Sequence, residues 1–329
     1  MNTAIYATTW HGIGAWVLET ACLRIVVLPT LGAKIASLLD KRSGREWLIG
    51  PGEKVLRSAP YGALFHEQDM SGWDEMFPTI VACTYPGEGD HQGVGLPDHG
   101  EVWALPWSVV QAGDGCVTLA VEGVALPYRL TRTLSFSALD TLEMRYRLTN
   151  LAQHAMPYIW AAHPQFACEA GAEIILPPEI SELCNTLPAD WGWGAPETRV
   201  GWPEARSASG HAVRIDRVGP PTLRRGRKFF ALPDAHPQWA RVVQRPSGDW
   251  LHLSWNPTAV PYFGLWVDEG ALSSQSVAAP EPTTGFYDSL AVAWQKQEVT
   301  VVQPGATHEW LITLRVGVGD QPIAMESGM

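Results

Sequence analysis

The sequence predicts an all-β chain built as a large antiparallel β-sandwich. Three observations predict it. Apolar and polar residues alternate with period two in several runs, the signature of a half-buried strand. No window of about 12 residues keeps a 3.6-residue period with caps at both ends. Turn signals, drawn from 31 Gly and 26 Pro in 329 residues, recur roughly every 8–12 residues, as they do between the strands of a sandwich.

The elements follow in order. Ala15 to Leu28 reads as two strands joined at Glu19–Ala21 and ended by Pro29. Asp40 to Gly44 is charged and closes on Ser-Gly, which suits a hairpin turn. Cys116 to Val121 alternates, as does Leu142-Glu143-Met144-Arg145-Tyr146-Arg147-Leu148. Val299 to Val302 alternates again, and Trp310 to Val316 is a β-branched run broken once by Arg315. Two segments read as long loops, Tyr85 to Gly100 and Asp190 to Gly226. Long loops in a compact domain are usually functional. Strand patterning resumes after each, so neither reads as a linker, and one domain is expected over residues 1–329.

Composition removes whole classes. Charged residues are 17% and the net charge is −11. An acidic chain lacks the cationic footprint that nucleic acid or an anionic membrane requires. The densest basic cluster, Arg224, Arg225, Arg227 and Lys228, reads as a solvated loop. Five widely spaced cysteines with no C-x-x-C pair argue against a disulfide framework or a thiolate zinc site. No apolar run approaches a membrane helix and no leader precedes Trp10, so a cytoplasmic location is expected.

The motifs that carry nucleophilic, phosphate-binding or metal chemistry are missing. There is no G-x-S-x-G, no phosphate loop and no H-E-x-x-H. Asp90-His91 and Asp98-His99 match no standard ligand spacing. What remains is histidine and carboxylate in constrained settings. His99 lies in Pro97-Asp98-His99-Gly100-Glu101. His163 precedes a proline, which biases it to extended geometry at a strand end. Glu281 stands between Pro280 and Pro282, so the chain aims its side chain. Asp74 and Glu75 sit between Trp73 and Phe77. Each is also compatible with an ordinary structural role. Taken together they fit general acid–base chemistry without cofactor or metal. Sixteen Trp have two readings: core filler of a broad sandwich, or indole faces for a sugar ring. Trp73, Trp103, Trp107 and Trp266 fall near the candidate motifs.

Gly72-Trp73-Asp74-Glu75-Met76-Phe77-Pro78-Thr79-Ile80, Pro97-Asp98-His99-Gly100-Glu101, His163-Pro164-Gln165-Phe166 and Glu281-Pro282-Thr283-Thr284 occur in this order. Together with Val27 to Ile35 and Gly44 to Leu48, they resemble the aldose 1-epimerase (galactose mutarotase-like) family, in a divergent branch. The resemblance implies one antiparallel β-supersandwich with a sugar cleft on a concave sheet. It implies interconversion of α and β anomers by ring opening and closing. It assigns His163 as general acid on the ring oxygen and Glu281 as general base on the anomeric hydroxyl. His99 matches a second, substrate-binding histidine, and Trp73, Asp74, Glu75 and Trp266 are expected to contact the sugar. A substrate-binding Asp of the family has no clear counterpart, with Asp190 and Asp234 as positional candidates.

The acid and the base are expected on the order of 5–8 Å apart, each in hydrogen-bond reach of its oxygen. The partner is a small sugar, with the protein a monomer or homodimer. Three rivals stand beside this reading. One is an epimerase of an anionic sugar, a hexose 6-phosphate or sulfonated hexose, using Arg57, Arg132, Arg199 or Arg227 at the cleft rim. Another is a carbohydrate-binding protein of the same fold without catalysis. The third is a polysaccharide lyase, which would want a Tyr or Lys base in an open groove.

Overall fold

The computed structural model describes residues 3–206 and 210–319. Two large antiparallel sheets face one another. The larger has thirteen strands. Its continuous path runs through Ala4–Trp10, Ile13–Glu19, Leu23–Leu28, Lys34–Asp40, Trp73–Met76, Ala161–Pro164, Ser276–Thr283, Tyr262–Glu269, Arg225–Ala231, Glu182–Asn185 and Arg199–Gly201. The second sheet has eight strands, in the order Glu173–Ile175, Trp239–Gln244, Asp249–Trp255, Thr307–Val318, Thr141–Asn150, Tyr128–Ala138, Cys116–Glu122 and Ser108–Gly113. The one α-helix among the described residues, Leu290–Lys296, is seven residues long. No helix among them is long and apolar enough to cross a membrane.

Period-two patterning explains the packing. Thr141–Asn150 buries Leu142, Met144, Tyr146 and Leu148 and turns Arg145 and Arg147 outward. Its pairing with Thr307–Val318 sets Tyr146 against Trp310 and Met144 against Ile312. Side chains directly opposite on antiparallel strands share a face, so one register places a whole apolar set between the sheets. One cluster of buried side chains then runs from Leu18 to Val316. Trp47, Trp73 and Trp160 are fully buried in it, and Trp310 stacks on Tyr146. These four tryptophans are therefore core.

The central strands of the larger sheet are buried on both faces. Trp73–Met76, Tyr262–Glu269 and Ser276–Thr283 have no residue beyond the buried class. Their inner face meets the second sheet, and their outer face lies beneath loops. A polar clamp crosses the inner side. Glu75 accepts hydrogen bonds from Arg132 (2.7 Å), the Tyr146 hydroxyl (2.8 Å) and the Trp160 indole (2.9 Å). All four side chains are buried, so the charge is paired and its oxygens are satisfied, as burial requires.

Two sequence expectations change here. The basic cluster is not a solvated loop: Arg225–Ala231 is a strand, with Arg227 and Lys228 buried. Each cation is neutralised by a buried carboxylate, Arg227 by Glu269 and Lys228 by Glu281. Being adjacent on one strand, the two cations point to opposite faces of the sheet. The segment Asp190 to Gly226 is also less loop-like than its composition suggests. It holds the short strands Arg199–Gly201, Glu204–Arg206 and Ala212–Arg214, too short for alternation to register. Likewise Cys83–Thr84 pairs with Gly95–Leu96 across the Gly-rich loop.

Candidate active site

Register decides which residues meet on the outer face of the larger sheet. Asp74 lies opposite His163. Ala161 lies opposite Thr283, so His163 and Glu281, each two residues along, share that face. Glu281 lies opposite Gly264, and Trp266 lies opposite Lys228. The outer face of six adjacent strands thus presents Lys34, Asp74, His163, Glu281, Gly264, Trp266 and Lys228.

His163 and Glu281 sit at the centre of this face. His163 Nε2 is 4.0 Å from Glu281 Oε1. Glu281 is fully buried and His163 is 5% exposed. Glu281 Oε2 accepts from the Lys228 ammonium, while Oε1 has no hydrogen bond within the protein. The Gln165 side-chain amide lies 2.9 Å from His163 Nε2, and His163 Nδ1 is also without a protein partner. Asp74 Oδ2 accepts from Lys34 at 2.6 Å, and its Oδ1 is buried and unpartnered. Buried polar atoms are normally hydrogen-bonded. Three such atoms on one patch of sheet suit a ligand rich in hydroxyls.

Burial tunes these groups in opposite directions. It pushes the Glu281 carboxyl up to about 7, against the pull of Lys228. It pushes the His163 imidazole well below its usual value, helped by His99, Lys228 and Lys34. It also raises Asp74 to about 6, against Lys34. Lys228 is held above its ordinary value: burial works to lower it, but Glu281 and Asp288 outweigh that. The usual order of the two groups is thereby reversed, and near neutral pH the coupled pair carries at most one proton.

His99 comes from the loop side. Its ring centroid is 5.1 Å from that of His163. Asp98 Oδ1 lies 3.1 Å from its Nδ1, and Asp98 Oδ2 accepts from the Phe65 backbone at 2.9 Å. Phe65 stacks on His99 at 4.4 Å and tilts onto His163 at 4.9 Å. The Trp103 indole donates to the Asp98 and Gly100 carbonyls and fixes the loop. Gly100 is required there: its φ is +69°, and a Cβ would lie 2.0 Å from the Phe77 carbonyl oxygen.

The chain thus gathers His99, His163, Glu281 and Asp74 in one place, with Trp266 on the same face against Trp191. It does not bring Trp73 or Glu75 there. Trp73 is fully buried on the inner face, edge-on to Phe166, and Glu75 is held by the clamp. Strand alternation is the reason, since Asp74 faces outward and its two neighbours must face inward. Asp190, in the 3-10 helix Ala189–Trp191, and Asp234, in a turn, are both exposed. Arg132 and Arg227 are spent on Glu75 and Glu269, and Arg199 is exposed beside Glu182. The 4.0 Å separation is shorter than the expected span. The anomeric and ring oxygens are bonded to the same carbon, so acid and base need not straddle the ring.

Sequence reasoning missed Lys228, Lys34, Gln165, Phe65 and Asp288. A lone Lys34 inside the apolar run Leu31 to Ile35 was the available signal for one of them. Lys228 was hidden by its basic neighbours. Among the described residues, no group of three or more His, Cys, Asp or Glu is arranged to hold a metal ion, and all five cysteines are free.

No protein-family model matches the sequence, and no curated protein does. Solved structures do resemble this one. A galactose mutarotase-like protein from Clostridium acetobutylicum superposes with a TM-score of 0.69 at 13% identity, covering 96% of this chain and 99% of its own. A galactose mutarotase-like protein from Lactobacillus casei gives 0.65 at 16% identity, covering 92% and 100%. A proposed aldose 1-epimerase from Escherichia coli K12 gives 0.65 at 15%, covering 96% and 100%. At these identities the likeness establishes the shared fold: the chain has the all-β galactose mutarotase-like architecture.

Proposed function

We propose that this chain, which has the galactose mutarotase-like fold, is an aldose 1-epimerase. It interconverts the α and β anomers of a sugar without a cofactor. The observation that carries this reading is the buried pair on adjacent strands, Glu281 Oε1 and His163 Nε2, 4.0 Å apart, with the Glu281 oxygen unpartnered. Ring opening removes the proton of the anomeric hydroxyl and delivers one to the ring oxygen. Glu281, as carboxylate, takes the first, and His163, carrying the shared proton, gives the second. The C1–O5 bond breaks and the aldehyde forms. Rotation about C1–C2 and closure on the other face reverse both transfers, so the enzyme returns to its starting protonation state. His99 and Asp74 hold hydroxyls, and Trp266 offers an apolar face to the ring.

The Glu281 carboxyl, raised to about 7, supports the chemistry, since general acid–base catalysis works best with a group titrating near the operating pH. The reaction as assigned needs the pair's one proton, on His163 with Glu281 ionised, so kcat/KM falls as pH rises through about 7, where the pair loses that proton. That limb belongs to the pair rather than to one residue. Initial-rate anomer exchange from pH 5.5 to 8.5 tests it. A rate that is flat or rising across that range contradicts the assignment.

A second reading keeps the same chemistry on an anionic sugar. It is favoured by Arg57, which is exposed and lines a shallow groove with Lys34, Phe65 and Asp69. Arg57→Ala then raises KM for a phosphorylated or sulfonated hexose about tenfold, the cost of a charge-assisted contact, and leaves the KM of a neutral aldose unchanged. Equal effects on both sugars remove this reading.

A further inference from the structure

Lys228 has no part in the acid–base pair as stated, yet it is the side chain that touches Glu281. It reaches Glu281 from two strands away. On the strand between them, the position beside Glu281 is Gly264, where a Cβ would stand 3.1 Å from Glu281 Oε2 and 3.4 Å from the Phe230 ring. Glycine inside a strand weakens it and marks a close approach. Here the close approach is the Lys228–Glu281 contact. The ammonium also lies 5.8 Å from the Phe230 ring centroid, which steadies it.

A buried ion pair is weak evidence for stability, because desolvation offsets the attraction. Its geometry suggests another use. The ammonium occupies Oε2 alone, and Oε1 is left bare on the His163 side. Resting on the anomerase reading above, we propose that Lys228 is the positioning residue for Glu281: it pins one carboxylate oxygen, presents the other to the sugar, and drives the shared proton from Glu281 onto His163. The proton step balances, since Glu281 and His163 hold one proton between them before and after.

The electrostatics run as follows. Burial favours the form with neutral carboxyl and neutral imidazole, which cannot open the ring in the assigned sense. A cation in contact with the carboxylate stabilises its charge more than it repels an imidazolium on the carboxylate's far side, since the interaction falls with distance. Other groups face Glu281 as well. His163 does so from Ala161–Pro164, and Asp288 from the turn after Ser276–Thr283, 3.7 Å from the Lys228 ammonium. Asp74, Lys34 and His99 lie beyond His163. Tyr262–Glu269 contributes only the uncharged Gly264 and Trp266 to this patch. Of these, Lys228 alone is a cation touching the carboxylate.

The test is a carboxyl titration that needs no turnover. The protein is labelled with ¹³C-carboxyl glutamate, and the Glu281 signal is identified by its loss in Glu281→Gln. Lys228→Met moves the Glu281 midpoint up by about 1–3 pH units, the usual effect of a contacting cation, and Lys228→Arg returns most of the shift. Lys228→Gln serves if the Met variant does not fold. An unmoved midpoint, or no recovery with Arg, overturns the proposal even if anomer exchange is confirmed. In the kinetic arm, the limb of kcat/KM on which the pair loses its proton moves up by the same amount, with kcat at neutral pH down about tenfold per unit as the proton stays on Glu281 and KM little changed. A raised KM with an unmoved limb puts Lys228 on the sugar instead and also overturns it. If no aldose is turned over by the unmodified protein, the titration still decides the role of Lys228.

Discussion

At the scale of the residue, the site is made of groups whose ordinary charge states burial disturbs, each checked by one partner. Glu281 leans on Lys228 and Asp74 on Lys34. The disturbance has a stability consequence with a definite sign. Glu281 binds its proton more tightly folded than unfolded, with a folded pKa of about 7 against 4.5. Its contribution is therefore fully present below about 4.5 and is lost as pH rises through 7. The melting temperature of Glu281→Gln relative to the unmodified protein becomes steadily more favourable over that window; a flat difference contradicts the shift. Asp98 gives a second expectation, because it holds both His99 and the Phe65 backbone. Asp98→Asn lowers kcat/KM about tenfold through loss of a charge-assisted contact, with the fold retained by circular dichroism. An unchanged kcat/KM would detach His99 from the site.

At the scale of the element, the strand Trp73–Met76 shows how alternation divides labour. Asp74 faces His163 on the outer side, while Trp73 and Glu75 anchor the strand from within. The clamp of Glu75 by Arg132, Tyr146 and Trp160 ties the active face to the second sheet. Breaking a buried pair from one side leaves a bare charge, at a cost of about 3–5 kcal/mol. Arg132→Met is expected to lose that much in urea unfolding, and a loss below about 1 kcal/mol would show that Glu75 escapes to a neutral form. The charge pattern Trp-Asp-Glu-Met was visible in the sequence, but which carboxylate lies on the outer face was not. A one-residue error in register exchanges the two faces, and nothing local to the motif sets the register.

At the scale of the whole molecule, the fold was legible and the site partly so. Period-two runs such as Leu142 to Leu148 fixed the strand class, and the motif order marked His99, His163 and Glu281 before any packing was known. These three lie far apart in sequence and meet only because Ala161–Pro164 pairs with Ser276–Thr283 and the 98–103 loop folds over that seam. The lysines were illegible for the same reason. Lys228 meets Glu281 across 53 positions and Lys34 meets Asp74 across 40, and neither pairing leaves a local pattern. The tryptophans resolve along the same division, with Trp73 and Trp160 in the core and Trp266 on the active face. The central claim is that the buried Glu281–His163 pair opens and closes a sugar ring. Exchange NMR or polarimetry over a panel of free, phosphorylated and sulfonated aldoses measures this directly, with Glu281→Gln and His163→Asn beside the unmodified protein. The account predicts exchange well above buffer for at least one sugar and a loss of about 10²–10⁴-fold in each variant; no exchange above buffer for any sugar, or a full rate in Glu281→Gln, would contradict it.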